Sequence, residues 1–147
     1  MHSVFVYGTL MAEEVTHALL HRLPPTHAAT LAGFKRHRIE NQVFPAIVAT
    51  SSADTIQGLL VTELTDEELD VFDEFEDIEY TRDEVLVTGE NGAHKKAFVY
   101  VWKDTLRHLL YGEWDYNEFR EKHLEKYLTL CFRSSGHPTQ EVDVPPS

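Results

Sequence analysis

The stretch VFVYGTLM, residues 4 to 11, most restricts what this chain can become. Val4, Phe5, Val6 and Tyr7 put large apolar groups on both faces of a strand, which predicts a strand buried on both sides rather than half exposed. That strand stops at Gly8, and MAEEVTHALLHRL follows at once, with Val15, Ala18, Leu19 and Arg22 at helical spacing and Glu13 and Glu14 in the first turn. The order is strand, tight loop, helix. In such a loop the backbone N–H groups face open space and can hold an anionic group, a carboxylate for example. Gly8 lets a ligand approach the main chain, and Thr9 either caps the helix or donates to that ligand. A simple structural turn is the commoner use of a glycine at a strand end, and the residues alone leave both open. A phosphate loop is ruled out, because its lysine and second glycine are missing.

Of 147 residues, 42% are hydrophobic and 26% charged, proportions that predict one ordinary domain able to bury a core. The net charge of −12 opposes phosphate backbones and anionic lipid surfaces, which argues against a nucleic-acid or membrane-surface partner. The single cysteine, Cys131, cannot form an internal disulfide and reads as a buried thiol, suiting a reducing compartment. No basic leader precedes the first strand, and no run of about 18 apolar residues occurs. The expected location is cytoplasmic, or nuclear, with no membrane span.

Helix one is expected to end at Pro24 and Pro25. Short strands follow in ATLAGFKRHRI, in VFPAIVAT around Pro45, and in IQGLLVTEL over residues 56 to 64. Thr65 with Glu68 three residues on predicts a capping box, opening a helix through ELDVFDEFED that ends near Asp77. DEVLVTGENGAHKKAFVYVW predicts a hairpin closed by a loop longer than two residues. WDYNEFREKHLEKYLTL predicts one amphipathic helix, Asp115 and Glu118 at its start, with Tyr116, Phe119, His123, Tyr127 and Leu130 along one side. Residues 134 to 147 lack periodicity and read as a poorly ordered tail, leaving one domain over 1 to 133. Strands outnumber helices without regular alternation, so the expected class is α+β, a small mixed, mostly antiparallel β-barrel with flanking helices.

At about 100° per residue, Leu69, Val71, Phe72 and Phe75 mark the apolar side of the acidic helix, and Asp70, Asp73, Glu74 and Asp77 point away into solvent. Glu68 is taken up by capping. Glu76 lies roughly 70° from the centre of the apolar side and is the carboxylate most exposed to desolvation. Burial would raise its pKa and make it a candidate general base, although a rim glutamate at a helix end is the commoner arrangement. His17 and His21 have a metal-compatible spacing but no third ligand, so solvated rings are expected and no metal site. Arg36, His37 and Arg38 read as a surface ion-pairing patch. Tyr80 and Arg82 are either pocket residues or ordinary strand residues.

VFVYGTLM, then FPAIV, FDEFEDIEYTR and FVYVW, together resemble the γ-glutamylcyclotransferase-like superfamily over most of the chain, and YGEWDYNEFREKHLEKYL is similar to its plant branch, the avirulence-induced-gene-like proteins. The resemblance implies a small β-barrel with one pocket. It implies that the main chain of Tyr7, Gly8, Thr9 and Leu10 binds a γ-glutamyl group. One glutamate then serves as general acid/base while 5-oxoproline is released, with no metal or organic cofactor. Two registers compete for that glutamate's place. One puts Asp73 there; the other, which keeps the Phe-Glu-Asp ending, puts Glu76 there with Glu74 a distant second. Helical geometry favours Glu76. A γ-glutamyl small molecule is thus the expected substrate, and protein partners are left unspecified. A non-catalytic binding module for small molecules or proteins in plant stress signalling is the competing expectation, since a fold does not guarantee its chemistry.

Overall fold

A computed structural model describes residues 1–133; the expected tail over 134–147 lies outside the described residues. Five strands close a barrel in the order β1-β5-β2-β6-β7, formed by β1 (His2–Val6), β2 (Thr26–Ala32), β5 (Thr55–Leu64), β6 (Tyr80–Gly89) and β7 (His94–Trp102). Neighbours pair antiparallel except at the seam, where β1 meets β7 in parallel with Val4 beside Phe98. The mixed, mostly antiparallel barrel expected from sequence is therefore the observed fold.

A second sheet, β4-β3-β8, is made by β3 (Phe34–Ile39), β4 (Pro45–Ala49) and β8 (Leu110–Tyr111). The run ATLAGFKRHRI divides between the two sheets at Gly33, whose φ of 87° is a left-handed turn that a side chain would resist. The GENGA loop joins β6 to β7, its Gly89 N–H donating to Ala93 O at 2.9 Å.

Alternation along β1 explains why both its faces are apolar. Phe5 and Tyr7 join Leu31, Ile56, Leu60, Val87 and Val99 inside the barrel. Val4 and Val6 face a second core formed with the helices and the smaller sheet, among Phe44, Phe72, Phe119 and Tyr127.

Helix α1 (Glu13–Leu20) ends before the proline pair, at a left-handed His21 with φ 60° that donates to His17 O at 2.8 Å. Helix α2 (Asp66–Glu76) begins with both halves of the Thr65–Glu68 capping box, and Glu68 also receives the Arg22 guanidinium at 2.6 and 2.7 Å. The expected single C-terminal helix is instead broken. Helix α3 (Tyr116–Lys122) stops at His123, which leaves helical geometry, before α4 (Leu124–Leu128) and a π-helical turn over Thr129–Arg133. An unbroken helix would turn His123 inward. The break shifts the buried stripe by one residue, so that Leu124, Tyr127, Leu128 and Cys131 are buried while Leu130 is 40% exposed. Asp115 caps α3, but Glu118 turns its carboxylate to Arg38 rather than back to the cap.

Candidate active site

Where β1 leaves the barrel, Tyr7 enters a 3-10 turn over Thr9–Met11, closed by the Met11 N–H donating to Gly8 O at 2.9 Å. Every carbonyl from Tyr7 to Leu10 accepts a protein donor. Arg36 Nη1 reaches Tyr7 O at 2.8 Å, and the Ala12 N–H reaches Thr9 O at 3.1 Å. The Thr16 hydroxyl reaches Leu10 O at 3.0 Å. With these carbonyls already engaged, the N–H groups are the turn's readiest means of meeting a ligand.

Of the two uses the sequence leaves open for Gly8, the structure supplies a packing reason. A Cβ there would lie 2.8 Å from both Cδ and Cγ of Pro45, so the space left by the missing side chain is filled by the proline ring of β4. Thr9 does not cap a helix; it is fully buried, and its hydroxyl has no hydrogen-bond partner among the described residues.

The last residue of α2, Glu76, is 4% exposed, while its helix neighbour Glu74 is exposed. The geometry thus separates the two, burying the one that helical sorting places at the edge of the apolar side. Four phenols feel the Glu76 charge. Burial first and Glu76 next push Tyr7 well above its usual range. Burial also dominates at Tyr80, Tyr100 and Tyr127, with Glu76 adding a smaller upward push at each. All four therefore remain neutral O–H groups at ordinary pH.

Three of the four have acceptors. The Tyr7 hydroxyl donates to Tyr100 O at 2.6 Å, Tyr80 to Pro45 O at 3.0 Å, and Tyr100 to Asp73 Oδ1 at 2.7 Å. The other Asp73 oxygen accepts from Arg82 at 2.6 Å, and that guanidinium lies over the Phe98 ring. Asp73 is thus only half solvated, unlike Asp70, Glu74 and Asp77, because β6 and β7 supply donors beside α2. Helical geometry alone could not show these donors.

Arg36 departs from the expected surface patch. It is half-buried, donates to the Tyr7 carbonyl and lies over Trp114, whereas Arg38 does pair with Glu118 at 2.9 Å. His17 is exposed on α1, and among the described residues no group of three or more His, Cys, Asp or Glu is placed to hold a metal ion.

The sequence reading named Tyr80 and Arg82 as either pocket or strand residues; they lie beside Glu76 and on Asp73 respectively. It passed over Tyr100, Tyr127 and Pro45. Tyr127 fell on an apolar stripe, and the sole mark setting it apart from core was its hydroxyl.

Residues 4–116 match the family model described as "Gamma-glutamyl cyclotransferase, AIG2-like". The chain belongs to this family. The AIG2-like protein D of Arabidopsis thaliana is 44% identical over 132 residues, covering 88% of this chain and 86% of the relative. The solution structure of a second Arabidopsis thaliana protein is 35% identical, covers 86% of this chain and 77% of that one, and superposes with a TM-score of 0.70. A protein of Methanocaldococcus jannaschii named "Gamma-glutamylcyclotransferase and putative RNase" is 27% identical over 104 residues, covering 69% of this chain and 46% of the relative. Membership of the AIG2-like family accounts for the barrel. Among the described residues, no helix is long and apolar enough to cross a membrane.

Proposed function

We propose that this AIG2-like protein is a γ-glutamylcyclotransferase, with Glu76 as general acid/base and the Tyr7 to Leu10 turn as the seat of the γ-glutamyl group. The observation that carries the reading is the burial of Glu76 among four neutral phenols, one of which, Tyr7, opens that turn. Family membership and the name of the archaeal relative support it.

In the reaction the substrate α-amine attacks its own γ-carbonyl carbon, forming the C–N bond of a five-membered lactam. Glu76 accepts the proton released by that nitrogen and returns it to the departing amine as the original amide C–N bond breaks. 5-Oxoproline and a free amine result, with no net change in protons. A shuttle of this kind needs a carboxylate that gains and loses a proton easily, and removal from water brings its two states closer in energy near neutral pH.

The test is 5-oxoproline formation from a panel of γ-glutamyl amines and peptides. Wild type should turn over at least one of them, and Glu76→Gln should lose about 10²-fold or more in kcat. Activity should fall as pH drops through the pKa of the base. A Glu76→Gln protein as active as wild type removes Glu76 from the mechanism.

One observation favours a second reading, binding without turnover: Tyr7, Thr9, Leu10 and Glu76 are each less than 5% exposed, so the site is closed over. A protein that binds 5-oxoproline, yet releases none from any member of the panel, would decide for it.

A further inference from the structure

The described residues contain two buried hydroxyls with no hydrogen-bond partner, and they are neighbours. Thr9 Oγ1 comes from the turn after β1, and Tyr127 Oη comes from α4. Tyr127 is 4% exposed and Thr9 fully buried, so bulk water does not satisfy either group. The two hydroxyls interact with each other, and Tyr127 also with Cys131, but neither contact meets the full distance and angle geometry of a hydrogen bond. Native interiors seldom leave such groups unpaired without a use for them.

We propose that Tyr127 is a substrate-contacting residue whose hydroxyl, together with that of Thr9, donates to the γ-carbonyl oxygen as it becomes an oxyanion. The inference rests on the cyclotransferase reading and adds a residue to it. Tyr127 lies beyond residues 4–116, the stretch that the family model matches.

Elimination supports the choice. Of the four phenols that feel Glu76, those of Tyr7, Tyr80 and Tyr100 spend their protons on Tyr100 O, Pro45 O and Asp73. Among the described residues, Tyr127 is the one of the four whose O–H meets no acceptor with hydrogen-bond geometry, its nearest polar neighbours being Thr9 and Cys131. When an amine attacks an amide, negative charge collects on the carbonyl oxygen, and fixed donors in a dry site stabilise that charge more than they stabilise the ground state. Tyr127 keeps its proton throughout; it supplies a hydrogen bond while Glu76 moves the proton. Burial holds the phenol well above its usual range, which keeps the donor protonated. Tyr127 faces inward with Leu124 and Leu128, and it keeps that side across the break at His123.

The test uses the full chain and Tyr127→Phe, assayed on whichever γ-glutamyl compound wild type turns over. The expected result is a fall of about 10²-fold in kcat with KM nearly unchanged. The melting temperature should be equal to or above that of wild type, because the phenol gives up no protein hydrogen bond. Two results would overturn the assignment: undiminished kcat, or a melting temperature lowered by several degrees, which would show the hydroxyl bonded within the fold. Failure of the cyclotransferase reading looks different, because wild type itself then forms no 5-oxoproline from any compound, and this role for Tyr127 falls with it.

Discussion

Asp73 accepts the Tyr100 hydroxyl at 2.7 Å one helical turn before Glu76, and so ties α2 to barrel strand β7. The Arg82 guanidinium holds the other oxygen from β6, and the Tyr100 carbonyl in turn receives the Tyr7 hydroxyl. These contacts anchor the last turn of α2, which ends in Glu76. Asp73→Ala should cost about 2 kcal/mol, since it leaves Tyr100 and Arg82 without an acceptor. Chemical denaturation measures it. Tyr100→Phe should cost less in the Asp73→Ala background than in wild type, with a coupling of about 1 kcal/mol between the two. Additive losses would mean that the contact does not hold the helix.

Gly8→Ala should destabilise through Pro45. A methyl 2.8 Å from two ring carbons forces the turn or β4 to shift, at about 1 to 3 kcal/mol. Pro45→Ala should restore much of that loss when combined with Gly8→Ala. If Gly8→Ala melts like wild type yet loses affinity for 5-oxoproline, the glycine serves ligand access after all.

The Thr65 cap offers a stability change remote from the site. Thr65→Ala should lower stability by about 1 kcal/mol, seen as a drop of about 2 to 4 °C in melting temperature.

Glu68 gives a dependence on acid. The Arg22 guanidinium bonded to Glu68 holds its carboxyl below the usual value of 4.5, so its contribution is fully present above that value and is lost as pH falls through the depressed one. Thermal melts of wild type and Glu68→Gln should therefore differ at neutral pH and converge in acid. A difference independent of pH would assign the effect to packing.

Cys131 should be unreactive in the folded protein. Burial pushes its thiol up to about 11, leaving little thiolate at pH 8. Iodoacetamide at that pH should label it fast only after denaturation, as mass spectrometry would record. Rapid labelling of the native chain would show that the C-terminal turn opens readily.

Period and capping made much of the fold legible in sequence. The two-sided apolar pattern of β1 appears as alternation between the barrel interior and the outer core, and the Thr65–Glu68 pair caps α2 as its spacing predicts. Glu76 could be singled out because its angle on α2 is a local property. The rest of the site was not local. Pro45 against Gly8, Arg36 on the Tyr7 carbonyl and Tyr100 on Asp73 join residues that only the closed barrel brings together. The break at His123 escaped for another reason: the residues on both sides fit one helical stripe, and the choice of Leu124 over His123 for the interior is made by the core that receives it.

The parallel seam places Val4 beside Phe98, so the barrel closes by joining segments far apart along the chain. Such a contact carries a loop-closure cost, and non-local pairings of this kind slow folding. During synthesis β1 can complete its pairing only after β5 and then β7 have left the ribosome. The turn that follows β1 is thus anchored through a strand whose partners lie more than 50 residues away along the chain.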